Sequence, residues 1–484
     1  MASTTNRPLT VAALLASMFM AAMEATVVAT AMPTVIAELG GIKLYGWVSA
    51  SYLLASTVSV PLYGKLADRS GRKPVLLIGI AVFLAGSLAS GLAQNIEQLI
   101  AFRALQGLGA GAVQPIVLTI IGDLYTPAER GRVQGLFGAV WGIAGIAGPL
   151  LGAGLVHAVS WRWVFLVNIP PGILSFAVLI GAYREDAREK SKSPLDVLGA
   201  LAITAASLAL LLAASQVAPW IMLAAAGVFT WVFIWIERRA ADPVLPLSLL
   251  SRRLIAVTTI ASLLFGATMM GVLTFLPVHV QGVLGRAPVI AGATISPMLV
   301  GWPIASAITS RLLVRTGYRT PVWIGSAVIA VALVALAWLV VGGAGPVALG
   351  AAMCVFGMGM GLQVTAIVIG VQASVGWEQR GVATATNMFA RTMGGALGVG
   401  AMGAVLALRI GRTLPADVVG ALLDPHRREE ALRYPGVVEA LGDALDPLFW
   451  VGGVVAVIGL MVVLAHPRDK RQPSEPVAPV VVTE

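Results

Sequence analysis

Gly64-Lys-Leu-Ala-Asp-Arg-Ser-Gly-Arg-Lys73 and Ser310-Arg-Leu-Leu-Val-Arg-Thr-Gly-Tyr-Arg319 are two renderings of one pattern, a basic turn with a glycine between long apolar runs. Two more pairs keep the same spacing. Gln106-Gly-Leu-Gly-Ala-Gly111 matches Phe356-Gly-Met-Gly-Met-Gly361, and Glu129-Arg-Gly131 matches Gln379-Arg-Gly381. In every pair the second copy follows the first by about 250 residues, and a constant separation across several motifs marks an internal repeat. The repeat predicts two related bundles.

The material of those bundles is apolar. The 484 residues are 58% hydrophobic and 11% charged, where a soluble domain carries about 25% charge. The apolar runs are continuous rather than alternating, which predicts membrane helices and excludes a barrel. They fall near 9–37, 44–66, 74–93, 97–121, 131–156, 162–183, 195–216, 219–236, 254–281, 288–313, 320–341, 346–373, 381–408 and 447–466. The expected fold is therefore an all-α polytopic membrane protein with fourteen transmembrane helices. Residues 1–184 form the first six-helix bundle and 254–467 the second. Residues 185–253 form a linker holding two additional helices. Residues 409–446 make a long outer loop and 468–484 a disordered cytoplasmic tail. Within the outer loop, Val418 to Leu423 and Val437 to Leu445 are apolar enough for two small surface helices, and a solvated cap and an exit lid remain open as its role.

The net charge of +9 belongs to loops, and does not point to nucleic acid. Roughly two-thirds of the 32 Lys and Arg gather on one side if the N-terminus is cytoplasmic, which places both termini inside. The first apolar run is too long for a cleavable signal and is interrupted by Glu24. An excess of Arg over Lys, with abundant Ala, Gly and Val, fits a GC-rich bacterial genome and hence a bacterial inner membrane. The one cysteine, Cys354, excludes an internal disulfide and a cysteine-based metal cluster. No Walker loop, HExxH, GxSxG or His cluster is present, so an enzyme, a metal site and a bound cofactor are not expected.

Three ionisable groups stand deep inside apolar runs. Glu24 interrupts LASMFMAAMEATVVATAMPTVIAEL, ~22 Å along the helix from Leu9. A carboxylate at that depth must be neutral, paired or wet, and is a functional candidate for that reason. Arg103, Gln106, Ala110 and Gln114 recur at helical spacing and share one face. Arg103 is read either as a partner that tunes a titrating carboxylate or as a strut bonding backbone carbonyls. Arg391 has Asn387 one turn away, and is read as a counter-ion, a substrate contact or a strut. Gln114, Asn387, Arg391, Tyr52 and Trp302 are the candidate substrate-cavity residues, although aromatic residues in bundles also serve as packing. His279 is read as an interfacial residue. Asp68, with Arg69 and Arg72 in a turn flanked by Gly64 and Gly71, suits a contact with a positive helix N-terminus, or an ordinary positive-inside loop.

These stretches resemble the major facilitator superfamily over nearly the whole chain. Gly64 to Lys73 is similar to its loop motif between spans two and three, and Arg103-Ala-Leu-Gln-Gly107 to its span-four motif. Gly148-Pro149-Leu-Leu-Gly152 resembles the span-five antiporter motif. Glu24-Ala-Thr26-Val-Val-Ala-Thr-Ala-Met-Pro33 and Trp161-Arg-Trp163-Val-Phe165-Leu-Val-Asn168-Ile-Pro170 resemble motifs of the fourteen-span drug/proton antiporter branch. Three departures stand out. Glu24 replaces the usual Asp, Ala153 stands where a second Gly is common, and Val314 occupies the second-copy position of Asp68. The resemblance implies a major facilitator fold. It also implies a proton-coupled multidrug efflux antiporter that exports lipophilic or cationic small molecules by alternating access. Its partners are then the substrate, protons and membrane lipid, and the chain acts as a monomer. Glu24 and Arg103 would couple protons. Gly64, Asp68, Arg69, Gly71, Arg72, Asp123 and Arg130 would form the gate, latching the outward-facing state against span thirteen near Gly381. Gly148, Pro149 and Gly152 would bend span five for antiport, where packing alone is the rival reading. Export of an endogenous metabolite, antibiotic or lipid keeps the fold and changes the cargo. A non-transporting membrane sensor is the reading from another class.

Overall fold

The computed structural model describes residues 5–40, 44–185, 196–214, 217–413, 418 and 434–467. The linker from 186 to 195, the loop segment after Val418 and the tail from 468 lie outside them. Among the described residues the secondary structure is entirely helical. The first seven helices are α1 (Arg7–Leu39), α2 (Tyr45–Ser70), α3 (Arg72–Gly91), α4 (Ile96–Leu124), α5 (Pro127–Ala158), α6 (Trp163–Leu166) and α7 (Ile169–Ala182). Then come α8 (Val197–Ala214), α9 (Pro219–Glu237) and the short α10 (Leu247–Leu250). The last set is α11 (Arg253–Gly282), α12 (Pro288–Ile295), α13 (Pro297–Thr316), α14 (Arg319–Val341), α15 (Pro346–Ala373), α16 (Arg380–Thr413) and α17 (Val437–Leu464).

Every apolar run read from the sequence is helical. Two of them are broken, α6 from α7 ahead of Pro170 and α12 from α13 at Pro297, where proline removes a backbone donor. Twelve helical stretches are long and apolar enough to cross a membrane. A thirteenth is α5, bent by 40° between Gly145 and Leu150, the interval that holds Gly148-Pro149. The remaining predicted span, α2, is too polar to qualify by composition, with Ser and Thr throughout and Lys65, Asp68 and Arg69 in its last turns.

One expectation is corrected. Val437 to Leu445 is not a separate surface helix but the start of α17, which runs through Pro447. Its apolar residues Val437, Leu441 and Leu445 are buried, with Leu276 and Val280 of α11 in the same cluster. Glu439 and Asp443 disguise this face in the sequence by lying between its members.

Helix ends are set locally. Asn95 accepts a hydrogen bond from the Gln98 amide at 2.8 Å to start α4, and Thr126 with Glu129 forms a capping box that starts α5 at Pro127. Gly71 turns the chain at φ +99°, a conformation that costs glycine little. The Glu185 carboxylate then accepts from the Arg72 and Lys73 amides at 2.7 and 3.0 Å, closing the start of α3.

The repeat explains the packing. Apolar side chains gain little by leaving lipid for one another, so close approach through small residues does the joining. In the first copy, a Cβ on Gly107 would strike the Tyr52 carbonyl of α2, and one on Gly109 would strike the α3 backbone at Phe83. In the second copy, Gly357 meets the Met298 carbonyl of α13 and Gly359 meets α14 at Ile329. The same glycines make the same contacts in each half. The halves meet along two seams, α2 with α16 and α5 with α13. Gly64 lies against Gly381 and Ala385 in one seam, and Gly131 against Ser306 and Ser310 in the other. Each repeated motif therefore touches the counterpart of the other.

The helices α8 and α9 pair with each other, and α8 leans on both α2 and α16. The segment after α9 is tied to the first half by ion pairs from Asp242 to Lys65 and Arg69.

The tightest glycine contacts are against main chain, which no rotamer change relieves. A Cβ at Gly394 of α16 would run into the Leu263 carbonyl of α11. Gly394→Val is expected to lower the thermal midpoint of the detergent-solubilised protein, a loss of about 1–3 kcal/mol or more. Gly154→Ala, facing open space, is expected to leave it unchanged. Equal midpoints for the two variants would show that α11 and α16 are not held by this contact.

Candidate functional site

Glu24 is 1% exposed. Its carboxylate accepts from the Arg103 guanidinium through Oε1 and from the Asn168 side-chain amide through Oε2. Arg103 also donates to Gln106 Oε1 at 2.7 Å and to the Val48 carbonyl at 3.3 Å, and lies 4.3 Å over the Tyr52 ring. Gln106 continues to Ser87 Oγ at 3.2 Å, and Ser87 donates to the Phe165 carbonyl at 2.8 Å. One carboxylate thus joins α1, α2, α3, α4, the end of α6 and the cap of α7. Arg103 is both the charge partner and the carbonyl-bonding strut, so the two sequence readings describe one side chain.

The helix beside this network is α5. Thr26, two residues after Glu24, donates to the Ala144 carbonyl of α5 at 3.0 Å, and Gly148 packs against Thr26 so closely that a Cβ would displace its hydroxyl. Gly152 is buried on the same helix. The side chain of Pro149 lies outside the described residues. Gly142 and Gly145 face Leu299 of α13.

A second network lies at the basic end. Asp68 Oδ1 accepts from the Gly381 amide at 2.8 Å and Oδ2 from the Val382 amide at 2.7 Å. It caps the start of α16, where the unpaired amides and the helix dipole favour an anion. Arg72 donates to Asp68 at 3.1 Å and to the Trp377 carbonyl at 2.6 Å, and pairs with Asp123 at 3.2 Å. Arg380 meets Asp123 from the other half at 3.0 Å. Arg130 bonds the Tyr125 and Gly122 carbonyls and reaches Gln372, whose amide donates to the Leu118 carbonyl at 3.0 Å. Gly64 is the close-approach point of the same seam. Arg69 departs from this group and pairs with Asp242.

The predicted cavity residues scatter. Tyr52 is buried beneath Arg103 and belongs to the Glu24 network. Asn387 is bound to α11, accepting from Ser262 Oγ at 2.9 Å and donating to the Thr258 carbonyl at 3.2 Å. Trp302 sits at the α5–α13 seam beside Gly138. Gln114 and Arg391 are half-buried. His279 is not interfacial. It is 2% exposed and edge-on to Phe449 of α17 at 6.0 Å.

Several members of these networks carried no flag in the sequence. Asn168 is the one polar side chain within Val164–Pro170 of a quoted motif, which was its available signal. Ser87, Gln372 and Glu185 act through partners far away in the chain. Arg380 was visible as the repeat counterpart of Arg130, without its partner Asp123.

Comparison with known proteins follows the same outline. The family model described as Major Facilitator Superfamily matches residues 14–399. The chain is 33% identical over 425 residues to "Multidrug transporter protein MdtP" of Bacillus subtilis, covering 86% of this chain and 78% of that protein. It is 35% identical over 410 residues to "Multidrug resistance protein 3" of the same organism, covering 81% and 78%. Among solved structures, the human organic anion transporter MFSD10 superposes with a TM-score of 0.62 at 17% identity, over 93% of this chain and 99% of that one. At that identity the likeness concerns the fold alone. The chain belongs to the major facilitator superfamily, a multi-pass membrane family of transporters rather than enzymes.

Proposed function

We propose that this protein is a proton-coupled antiporter that exports lipophilic small molecules, drugs among them, by alternating access. The observation that carries the reading is Glu24, a fully buried acid in the first half, paired with Arg103 and hydrogen-bonded by Asn168. A buried pair of this kind is strongly destabilised when one charge is removed. Protonation of Glu24 leaves Arg103 with neutral partners only, so the network rearranges with the proton. The Thr26 hydroxyl carries that change to α5, and α5 forms one seam with the second half. The names of the two bacterial relatives favour drug efflux as the activity.

In the same reading, 1–184 and 254–467 are the two rocking bundles and 185–253 the insertion that makes this a fourteen-span member. The basic end is cytoplasmic, both termini lie there, and the protein works as a monomer in a bacterial inner membrane. Asp68 on α16 holds the cytoplasmic side shut, so the described conformation faces outward. Val314 stands in place of a second acid, and among the described residues the other seam has no equivalent ionic latch.

Two outcomes are expected. In proteoliposomes with an imposed pH gradient, Glu24→Gln reduces gradient-driven drug accumulation to that of empty liposomes while downhill substrate exchange persists. Full gradient-driven accumulation in that variant would remove Glu24 from the coupling step. Asp68→Asn weakens the latch and moves the balance toward the inward-open state by about tenfold. Spin labels at Ser70 and Glu378, with Cys354 replaced, would report this as a new long-distance population. An unchanged distance distribution would mean that Asp68 does not set the balance.

A further inference from the structure

Charge is unevenly matched inside the membrane helices. Glu24 and Arg103 satisfy each other. Arg391 has no ion pair and no side-chain hydrogen bond among the described residues, and no charged group acts on it there. A guanidinium in that setting is costly unless an anion or water meets it. Arg391 keeps part of its surface open, while its neighbours Asn387, Met388 and Ala390 are buried against protein. That combination belongs to a wall of internal space rather than to a lipid-facing surface.

The direction of the side chain follows from its helix. On α16, Asn387 faces α11 through Ser262 and Thr258. Met388 faces the first half, in one cluster with Val113, Ile116 and Val117 of α4. Gly400 marks the opposite side, against Ala214 of α8. At ~100° per residue, Arg391 projects between the Asn387 and Met388 directions, at the edge where α16 leaves α11, whose Gly266 lies against the Arg391 backbone, and turns toward α4. Gln114 stands next to Val113 on α4, half-buried and also without a hydrogen bond among the described residues. Gln114 lies ~15 Å along α4 from its basic end at Leu124, and Arg391 ~16 Å along α16 from Arg380, so the two share a depth. A cation and an amide donor thus sit at the midplane of two packed helices.

We propose that Arg391 and Gln114 form a subsite for the acidic group, carboxylate or sulfonate, of an amphipathic substrate carried between the halves. The subsite rests on the reading of this chain as a small-molecule exporter and assigns it a class of cargo. Guanidinium and amide together donate to two oxygens of such a group, and a lipophilic cation finds no opposing acid there. The preference is thus for lipophilic anions over lipophilic cations.

Fluorescein and rhodamine 6G test this, since they share a xanthene core and differ in charge. Binding of each to the full-length protein in nanodiscs is measured by fluorescence polarisation without any pH gradient, so failure of proton coupling does not affect the result. Wild type is expected to prefer fluorescein. Arg391→Gln is expected to weaken fluorescein binding about ten- to a hundred-fold, with rhodamine 6G binding unchanged and the thermal midpoint retained. Arg391→Lys keeps most of the fluorescein affinity, and Gln114→Leu loses part of it. A wild-type preference for rhodamine 6G overturns the proposal. So does equal fluorescein binding by wild type and Arg391→Gln. A third result would show a structural strut instead: Arg391→Gln losing both dyes together with its thermal midpoint.

Discussion

The pairing of Glu24 with Arg103 inside a membrane bundle is the constraint around which the first half is built. Neither charge is tolerable alone at that depth. Satisfying both needs donors and acceptors from several neighbouring elements, and the chain supplies them with Val48, Gln106, Ser87 and Asn168. The glycines of α4 bring these helices close enough for the bonds to form. Polar chemistry and steric economy therefore depend on each other here. A bulkier α4 would open the network, and an uncharged network would need no such proximity.

The second constraint lies at the basic end, where the two halves share hydrogen bonds rather than apolar surface. Asp68 engages main-chain amides of α16 instead of a side chain. That interaction survives sequence drift in α16 but not a side chain at Gly381, whose Cβ would strike the Asp68 carboxylate. Arg72 and Asp123 place a second layer beneath, so the closed end is held by charge from both halves. Such contacts would suit the reversible closure proposed above, because water can replace them at modest cost.

Much of this was legible in the sequence, for identifiable reasons. Apolar length alone located every spanning helix, and constant motif spacing revealed the duplication. Glu24 and Arg103 stood out because charge is expensive inside apolar runs, and Asp68 as an acid within a basic, glycine-flanked turn. Less visible were partners whose significance is purely spatial. Asn168 lies far from Glu24 in the chain and looks like a helix cap. Asp242 and Glu185 occupy linkers, where acids are commonplace. The beginning of α17 was hidden because acidic residues separate the members of its buried face. His279 was misjudged because its packing against Phe449 of the last helix is a contact across the fold that chain position does not show.

The ties of α8 and α9 have a kinematic consequence. Asp242 fastens the segment behind α9 to Lys65 and Arg69 with charge, whereas α8 meets α16 through Gly400 and Ala214. In the alternating access proposed above, the charged joint would hold the inserted pair on the first half while the small-residue joint let α16 shift past it, like a shaft in a plain bearing. The segment between Asp242 and α11 offers little slack, since Val244, Leu245 and Leu249 are buried, so bending at its ends would set how far the second half swings.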